Sequence, residues 1–384
     1  MYKIRTLNKI SPLGLSNFSD KYEIDDNITE PDGIILRSYK MNEIDITKKL
    51  VAIGRAGAGV NNIPIKACSE KGVVVFNTPG ANANAVKELV LTGLFLASRK
   101  IVEGINWVEN QSNDENISAT VEKEKSNYIG PEIYGKTIGV IGLGAIGILV
   151  ANAARDLGMN VVGYDPYLSV ENALKLKKIK LRDDIESVFA ESDYVSVHIP
   201  LNDSTKNIIN SSIFGKAKKG IRLLNLARGG IVKEDDVIEA LKDGTVSKYV
   251  TDFPNKNTIG VENIINIPHL GASTPESEEN CAVMAVNQVK RYIETGDIIN
   301  SVNYPNCQLP RSTENRICVL HENVPNVLGS ITTILGKDNI NVDELVNKSR
   351  GELAYTILDV DAKCQNSTLD AINSLEHVYR VREI

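Results

Sequence analysis

Three places in this 384-residue chain combine residue types that do chemistry with neighbours that leave them room to do it. The first is Gly142-Leu143-Gly144-Ala145-Ile146-Gly147, which follows the apolar run from Thr137 to Ile141. A helical run from Ile148 to Leu157 comes next, with Gly158 as its cap, and a second strand then ends in Asp165. In that context the first glycine permits a tight turn, the third position lets backbone approach a pyrophosphate, and the sixth lets helix pack on strand. The helix start presents unpaired N–H groups and the positive end of its dipole to phosphate. Asp165 can accept from both hydroxyls of an adenosine ribose and would repel a 2′-phosphate, so the chemistry is binding of NAD rather than NADP. A glycine-rich turn that holds no nucleotide is the competing reading, and the order of strand, turn, helix and acid speaks against it.

The second place is Leu223-Leu224-Asn225-Leu226-Ala227-Arg228-Gly229-Gly230, which puts an arginine at the carboxyl edge of an apolar strand. Ligands sit at that edge in open α/β sheets, and a guanidinium there can grip a carboxylate in a two-pronged fork. The third is Ile264-Ile265-Asn266-Ile267-Pro268-His269, where a strand ends in one of only four histidines. Oxidation of an alcohol by hydride transfer needs a base for the hydroxyl proton, and imidazole titrates in the right range. Taken singly, Arg228 reads equally as a surface ion-pair partner, and His269 reads first as a structural histidine.

The elements that must position these residues follow from apolar periodicity. Gly33-Ile34-Ile35-Leu36, Leu50-Val51-Ala52-Ile53 and Val73-Val74-Val75-Phe76 predict buried parallel strands, and residues 83–100 a helix. Residues 110–127 are polar and predict a loop or frayed helix. Six strands are predicted at residues 137–142, 160–165, 194–199, 222–227, 248–252 and 264–267, separated by helical segments as in a doubly wound sheet. A helix is predicted over residues 277–295, and prolines 305 and 310 mark a linker. The last seventy or so residues read strand 316–322, helix 327–335, strand 342–349, strand 352–360, helix 368–375, strand 378–382. That βαββαβ order is the ferredoxin-like plan.

Bulk properties exclude several classes. A net charge of -6 with mixed signs gives no field for nucleic acid or an anionic membrane, so an anionic substrate needs a local cluster of cations. Five cysteines without a C-x-x-C pair argue against a disulfide framework or a zinc site, and no metal is expected. No signal-peptide pattern and no apolar run of about 18 residues occurs, so the cytoplasm is the expected location.

The turn at Gly142, the segment Val197-His198-Ile199-Pro200-Leu201, the run from Asn225 to Gly230 and the run from Pro268 to Thr274 come in the order found in the D-isomer-specific 2-hydroxyacid dehydrogenases, which this chain resembles over its whole length. The tail narrows the resemblance to members that oxidise D-3-phosphoglycerate with NAD at the entry to serine biosynthesis. It implies two Rossmann-like doubly wound lobes with the active site in the cleft between them, and a C-terminal ferredoxin-like ACT domain. The implied boundaries are 1–97 with 285–304 for the substrate lobe, 98–284 for the NAD lobe, 305–312 for a linker and 313–384 for the tail. By the same resemblance Arg228 orients the substrate and His269 is the general acid/base. Ala145, Ile146, His198, Pro200, Ala227, Asp252 and Gly271 join Gly142, Gly144, Gly147 and Asp165 around NAD. Arg37-Ser38-Tyr39-Lys40 and Gly54-Arg55-Ala56-Gly57-Ala58-Gly59 are similar to the family's substrate loops, where turn N–H groups hold a carboxylate. Arg37, Lys40, Arg55, Ala56 and Gly57 are the expected substrate contacts, with ordinary loop cations as the alternative.

Relatives carry an Asp-x-Phe-x-x-Glu stretch whose Glu pairs with the histidine. Here it reads Thr251-Asp252-Phe253-Pro254-Asn255-Lys256, so Thr251 stands for the Asp and Lys256 for the Glu unless Asp252 substitutes after a one-residue shift. Strand alternation would point Asp252 to the other face. Lys256 is then a candidate for sharing proton transfer or contacting phosphate. In the tail, His321, Asn323 and Asn341 match the positions that bind L-serine across two ACT domains in regulated relatives, and Asn326 replaces the usual turn glycine. A tail that only oligomerises is the alternative. A homodimer or homotetramer is expected. Two other functions stay open: a dehydrogenase for another acid such as glycerate/hydroxypyruvate, and a non-catalytic NAD-sensing corepressor.

Overall fold

The computed structural model describes residues 1–384, which divide into two compact units: 1–81 with 275–384, and 82–274. In the first, five strands form a parallel sheet in the order β2-β1-β3-β4-β5: β1 (Tyr2–Leu7), β2 (Tyr22–Asp25), β3 (Gly33–Leu36), β4 (Ala52–Arg55) and β5 (Val74–Phe76). The first two were not among the predicted strands. Tyr2-Lys3-Ile4-Arg5 and Tyr22-Glu23-Ile24-Asp25 alternate apolar with charged residues near a sheet edge, and lack the continuous apolar run of β3 to β5.

The second unit carries the doubly wound sheet expected from the sequence. Its strands are β6 (Thr137–Ile141), β7 (Asn160–Tyr164), β8 (Lys180–Leu181), β9 (Tyr194–Val197), β10 (Ile221–Asn225), β11 (Val246–Thr251) and β12 (Ile264–Asn266). They are parallel, in the order β12-β11-β10-β9-β6-β7-β8. Residues 110–127, expected as a loop or a frayed helix, are partly helical, at Ile117–Glu124. The division between units also differs from the expected boundaries: helix Ala83–Ser98 belongs to the second unit, and the whole of helix Pro275–Thr295 to the first.

The tail has the expected βαββαβ order and an antiparallel sheet, β14-β15-β13-β16, from β13 (Asn315–Glu322), β14 (Val342–Arg350), β15 (Leu353–Val360) and β16 (Val378–Glu383). Helices Val327–Lys337 and Asn366–Asn373 cover one face, where Ile317, Val319, Leu358 and Val360 meet Ile331, Leu335 and Ile372. The other face is not free. Cys318, Leu320, Tyr355 and Ile357 run into one core with Phe76, Tyr292 and Tyr304 of the rest of the unit. The expected linker is therefore corrected: Tyr304 and Cys307 are buried, and Cys307 exchanges backbone hydrogen bonds of 3.0 and 2.8 Å with Ile298.

Arginines complete this junction. Arg316, 1% exposed, forks onto Asp359 at 2.6 and 2.9 Å and donates to the carbonyls of Thr295 and Leu309. Arg382 lies over the Tyr292 ring and donates to the Ile293 carbonyl at 3.0 Å, while the Tyr355 hydroxyl donates to Gly296 at 2.6 Å. The last carbonyls of helix Pro275–Thr295, which the helix itself leaves unsatisfied, are thus closed by tail side chains at the negative end of its dipole. No helix in the chain is long and apolar enough to cross a membrane.

Candidate active site

From β6 the chain runs outward through β7 and β8, then returns to lay β9 on the other side of β6. The gap at the carboxyl ends of β6 and β9 is the topological switch point where such sheets bind ligands. Gly142 leaves β6 there with φ +90°, and a Cβ on it would lie 2.7 Å from the His198 carbonyl oxygen at the end of β9. A Cβ on Gly147 would lie 1.9 Å from the Gly142 carbonyl oxygen. Gly144 differs, because a Cβ there would meet nothing within 4 Å. Packing within the protein requires the first and last glycines, whereas the middle one keeps space open in front of helix Ala145–Asp156. Gly144 is that helix's N-cap and no side chain caps its N–H groups. Asp165 is held beside the turn, accepting from the N–H of Leu143 and of Tyr167 at 2.8 Å each. Each carboxylate oxygen retains a lone pair for a ribose hydroxyl. This open cradle and its fixed acid fit a dinucleotide.

His198 lies next to the turn with Nε2 2.8 Å from the Ser196 hydroxyl and Nδ1 buried without a partner. The residue keeps some surface, but burial of its nitrogens lowers its pKa to about 4. It is a neutral wall of the cradle and not an acid–base group at working pH.

Strands β10, β11 and β12 end side by side, with Asn225 opposite Thr251 and Thr251 opposite Asn266. Just beyond these ends come Arg228, Asp252 and His269. Arg228 is exposed and donates to the Ala227 carbonyl at 2.7 Å. The His269 ring packs on Phe253 with centroids 4.7 Å apart. Asp252 is 1% exposed, and its Oδ1 has no hydrogen-bond partner. Burial pushes its pKa up, opposed by the nearby charges of His269 and Arg228. A Cβ on Gly271 would come 3.7 Å from Asp252 Oδ2, so the glycine lies beside the acid.

Of the two candidates in this stretch, Asp252 is the one whose carboxylate is buried beside Gly271. Thr251 is the last residue of β11, and its hydroxyl accepts from the Phe253 N–H at 3.2 Å. Alternation stops mattering where the strand stops, and the chain turns Asp252 inward. Lys256 is not brought into this group. It is exposed and unpaired on a loop that Asn255 and Asn257 tie to Glu234 at 2.6 and 3.1 Å. One positioning residue was missed in the sequence: buried Asn225, whose amide donates to the Arg228 carbonyl at 3.0 Å and accepts from the Ala227 N–H at 3.3 Å. Its signal was a polar residue inside an apolar strand.

In the first unit the expected substrate turn is corrected in detail. The Ala56 N–H donates to the Leu36 carbonyl at 2.7 Å and the Gly57 N–H to Arg55 at 2.9 Å, so neither is free for a carboxylate. The turn N–H groups of Ala58 and Gly59 have no such acceptor. Arg37 is already paired with Glu278 at 2.6 Å, while Lys40 is exposed and unpaired. Arg55 donates to the Arg37 carbonyl at 3.1 Å, and Asn62 ties the two loops through the carbonyls of Arg37 and Tyr39 at 3.2 and 2.7 Å.

The tail's three candidate effector residues separate. His321 is 3% exposed, with Nδ1 donating to the Glu322 carbonyl at 2.7 Å and Nε2 2.9 Å from the Thr356 hydroxyl. Burial lowers its pKa, and as a core residue with both nitrogens engaged it is not displayed to a ligand. Asn323 and Asn341 are exposed at opposite ends of the sheet, since Glu322 pairs with Leu353 while Val342 pairs with Val360. Asn326 takes φ +68°, as the glycine it replaces would.

A glycine turn at the switch point of a doubly wound sheet, with arginine, acid and histidine at neighbouring strand ends, defines a dinucleotide-dependent dehydrogenase. Residues 91–271 match the model for the D-isomer specific 2-hydroxyacid dehydrogenase NAD binding domain. The chain is 32% identical over 366 residues to the D-3-phosphoglycerate dehydrogenase of Methanocaldococcus jannaschii, covering 93% of this chain and 67% of that one. It is 31% identical over 351 residues to the D-3-phosphoglycerate dehydrogenase of Haemophilus influenzae, covering 88% and 82%. The NAD+-bound 3-phosphoglycerate dehydrogenase of Entamoeba histolytica superposes with a TM-score of 0.60 at 26% identity, covering 79% of this chain and 98% of that one. The chain belongs to the D-isomer specific 2-hydroxyacid dehydrogenase family, and NAD is its cofactor.

Proposed function

We propose that this chain oxidises D-3-phosphoglycerate to 3-phosphohydroxypyruvate with NAD, the first step of the phosphorylated route to L-serine. The observation that carries the reading is the set of neighbouring strand ends bearing Arg228, Asp252 and His269, together with relatives named for that reaction. His269 takes the proton of the substrate hydroxyl, and Arg228 grips the adjoining carboxylate. NAD, when bound, supplies the acceptor for the hydride that leaves the carbon. Gly142, Gly144 and Gly147 with Asp165 hold its adenosine half, and the unpartnered Oδ1 of Asp252 is an acceptor for an amide donor. Arg55, Lys40 and the N–H groups of Ala58 and Gly59 are the first unit's candidates for the substrate's anionic groups.

The test is NADH formation from D-3-phosphoglycerate and D-glycerate, with 3-phosphohydroxypyruvate for the reverse direction. Phosphorylated substrate should be preferred, and His269→Ala should lower kcat by about 10²–10⁴ while NAD still binds. Equal turnover of D-glycerate would move the assignment to an unphosphorylated acid. NAD binding without turnover of any hydroxy acid would favour the corepressor.

We read the tail as an ACT domain that takes L-serine. Asn323 and Asn341 lie too far apart to share one ligand within a tail, which supports a site completed by a second copy in a homodimer or homotetramer. Equal initial rates with and without millimolar serine, with no calorimetric binding, would refute serine control.

A further inference from the structure

The face of the tail sheet turned to the rest of the first unit carries five cations, because Arg316, Lys348, Arg350, Arg380 and Arg382 alternate onto it with Cys318, Leu320, Tyr355 and Ile357. Three of them are engaged: Arg316 with Asp359 and two carbonyls, Arg382 with the carbonyl of Ile293, and Arg380 with the carbonyl of Lys71 at 2.9 Å. The other two lie on edge strand β14. Arg350 donates one nitrogen to the Ser301 carbonyl at 2.9 Å, which leaves the rest of its fork unused, and Lys348 has no ion pair or hydrogen bond.

These two cations line a pocket of about 600 Å³ whose other walls include Asn77, Asn300, Ser301 and Asn306. No carboxylate lines it. Two other grooves on this acidic chain are balanced: Lys290 and Arg291 share theirs with Glu294 and Asp297, and Lys3 and Lys49 share theirs with Glu23, Asp25 and Glu30. The Asn306 amide NH2 adds a donor with no protein acceptor, its Oδ1 being taken by the Asn300 N–H at 2.9 Å. Unopposed cations and amide donors around one concavity favour an anion with several oxygens, since a guanidinium fork and an ammonium can divide them.

We propose that this pocket binds a small polyanion carrying phosphate or carboxylate groups, held by Lys348 and Arg350. One wall ties it to the substrate turn: the Asn77 amide donates to the Ala58 carbonyl at 2.6 Å and the Thr78 N–H to Gly57 at 3.1 Å. Occupancy therefore bears on the segment that carries the free N–H groups of Ala58 and Gly59.

The experiment is calorimetric titration of the full chain with inorganic phosphate and with citrate. Wild type and Lys348→Arg should bind, and Lys348→Glu should bind at least about tenfold more weakly, with its melting temperature unchanged because Lys348 is exposed. Arg228→Ala should retain the event, which separates this pocket from the dehydrogenase site and leaves the substrate assignment untouched. Preference for phosphate or for citrate identifies which oxyanion the pocket suits. Equal affinity in wild type and Lys348→Glu, loss of binding in Arg228→Ala alone, or no binding at millimolar anion would overturn the proposal.

Discussion

Asp252 is a carboxyl group whose burial opposes ionisation while Arg228 and His269 favour it, and burial wins. Its folded-state pKa is raised, so between the ordinary aspartate value of about 3.9 and the folded value the native protein holds a proton that the unfolded chain has released. Folding stability therefore falls as pH rises through that window and stays lower above it. Asp252→Asn should remove this loss. Urea midpoints measured across pH 3 to 8 (about five values) should show a smaller decline than wild type, together with weaker NAD binding. Identical pH profiles would mean that Asp252 is not an uncompensated acid. Arg228 and His269 were legible in the sequence because a charge at the end of an apolar strand stands out. Asp252 was ambiguous because period-2 reasoning needs to know where the strand ends.

At the scale of elements, the glycine turn separates two demands that a motif merges. Gly144→Ala should fold with near wild-type stability, since nothing lies within 4 Å of the added carbon, and should lose NAD affinity by at least about tenfold. Gly147→Ala forces a carbon to 1.9 Å from the Gly142 carbonyl oxygen and should cost about 1–3 kcal/mol in a denaturant titration. Equal stability losses in the two variants would contradict that division. The long helix Pro275–Thr295 makes a second case. Its final carbonyls are closed by Arg316 and Arg382, the Gly296 carbonyl just beyond it accepts from Tyr355, and its first turn follows the His269 loop closely in sequence. Arg316→Ala strands a buried Asp359 and should destabilise by about 3–5 kcal/mol, while Arg316→Met with Asp359→Leu should recover most of it. A loss below about 1 kcal/mol in the single variant would place the pair among weak surface bridges.

For the whole molecule, the tail is part of the first unit's core and not an appended arm. Removing residues 310–384 would open the core that Phe76, Tyr292 and Tyr304 share with Cys318, Leu320, Tyr355 and Ile357. Fully burying one such side chain is worth roughly 1.5–3 kcal/mol. The truncated chain should therefore aggregate or melt well below the full one in a thermal scan, whereas a soluble, fully active truncation would show that the tail is dispensable. The tail sheet shares its core with the rest of the first unit, which also carries the turn from Gly54 to Gly59.

Sequence alone determined the dinucleotide turn, its acid, the two strand-end catalytic candidates and the order of elements in the tail. Each of these is a local pattern, a spacing or a periodicity, that short-range physics reads directly. Tertiary structure decided what depends on partners distant in the chain. It turned Asp252 inward and left Lys256 outside, used up the N–H groups of Ala56 and Gly57, and placed His321 in the core. It also made an expected linker and a separate domain into one packed unit, because the exposed face of a small sheet is apolar only where another core meets it.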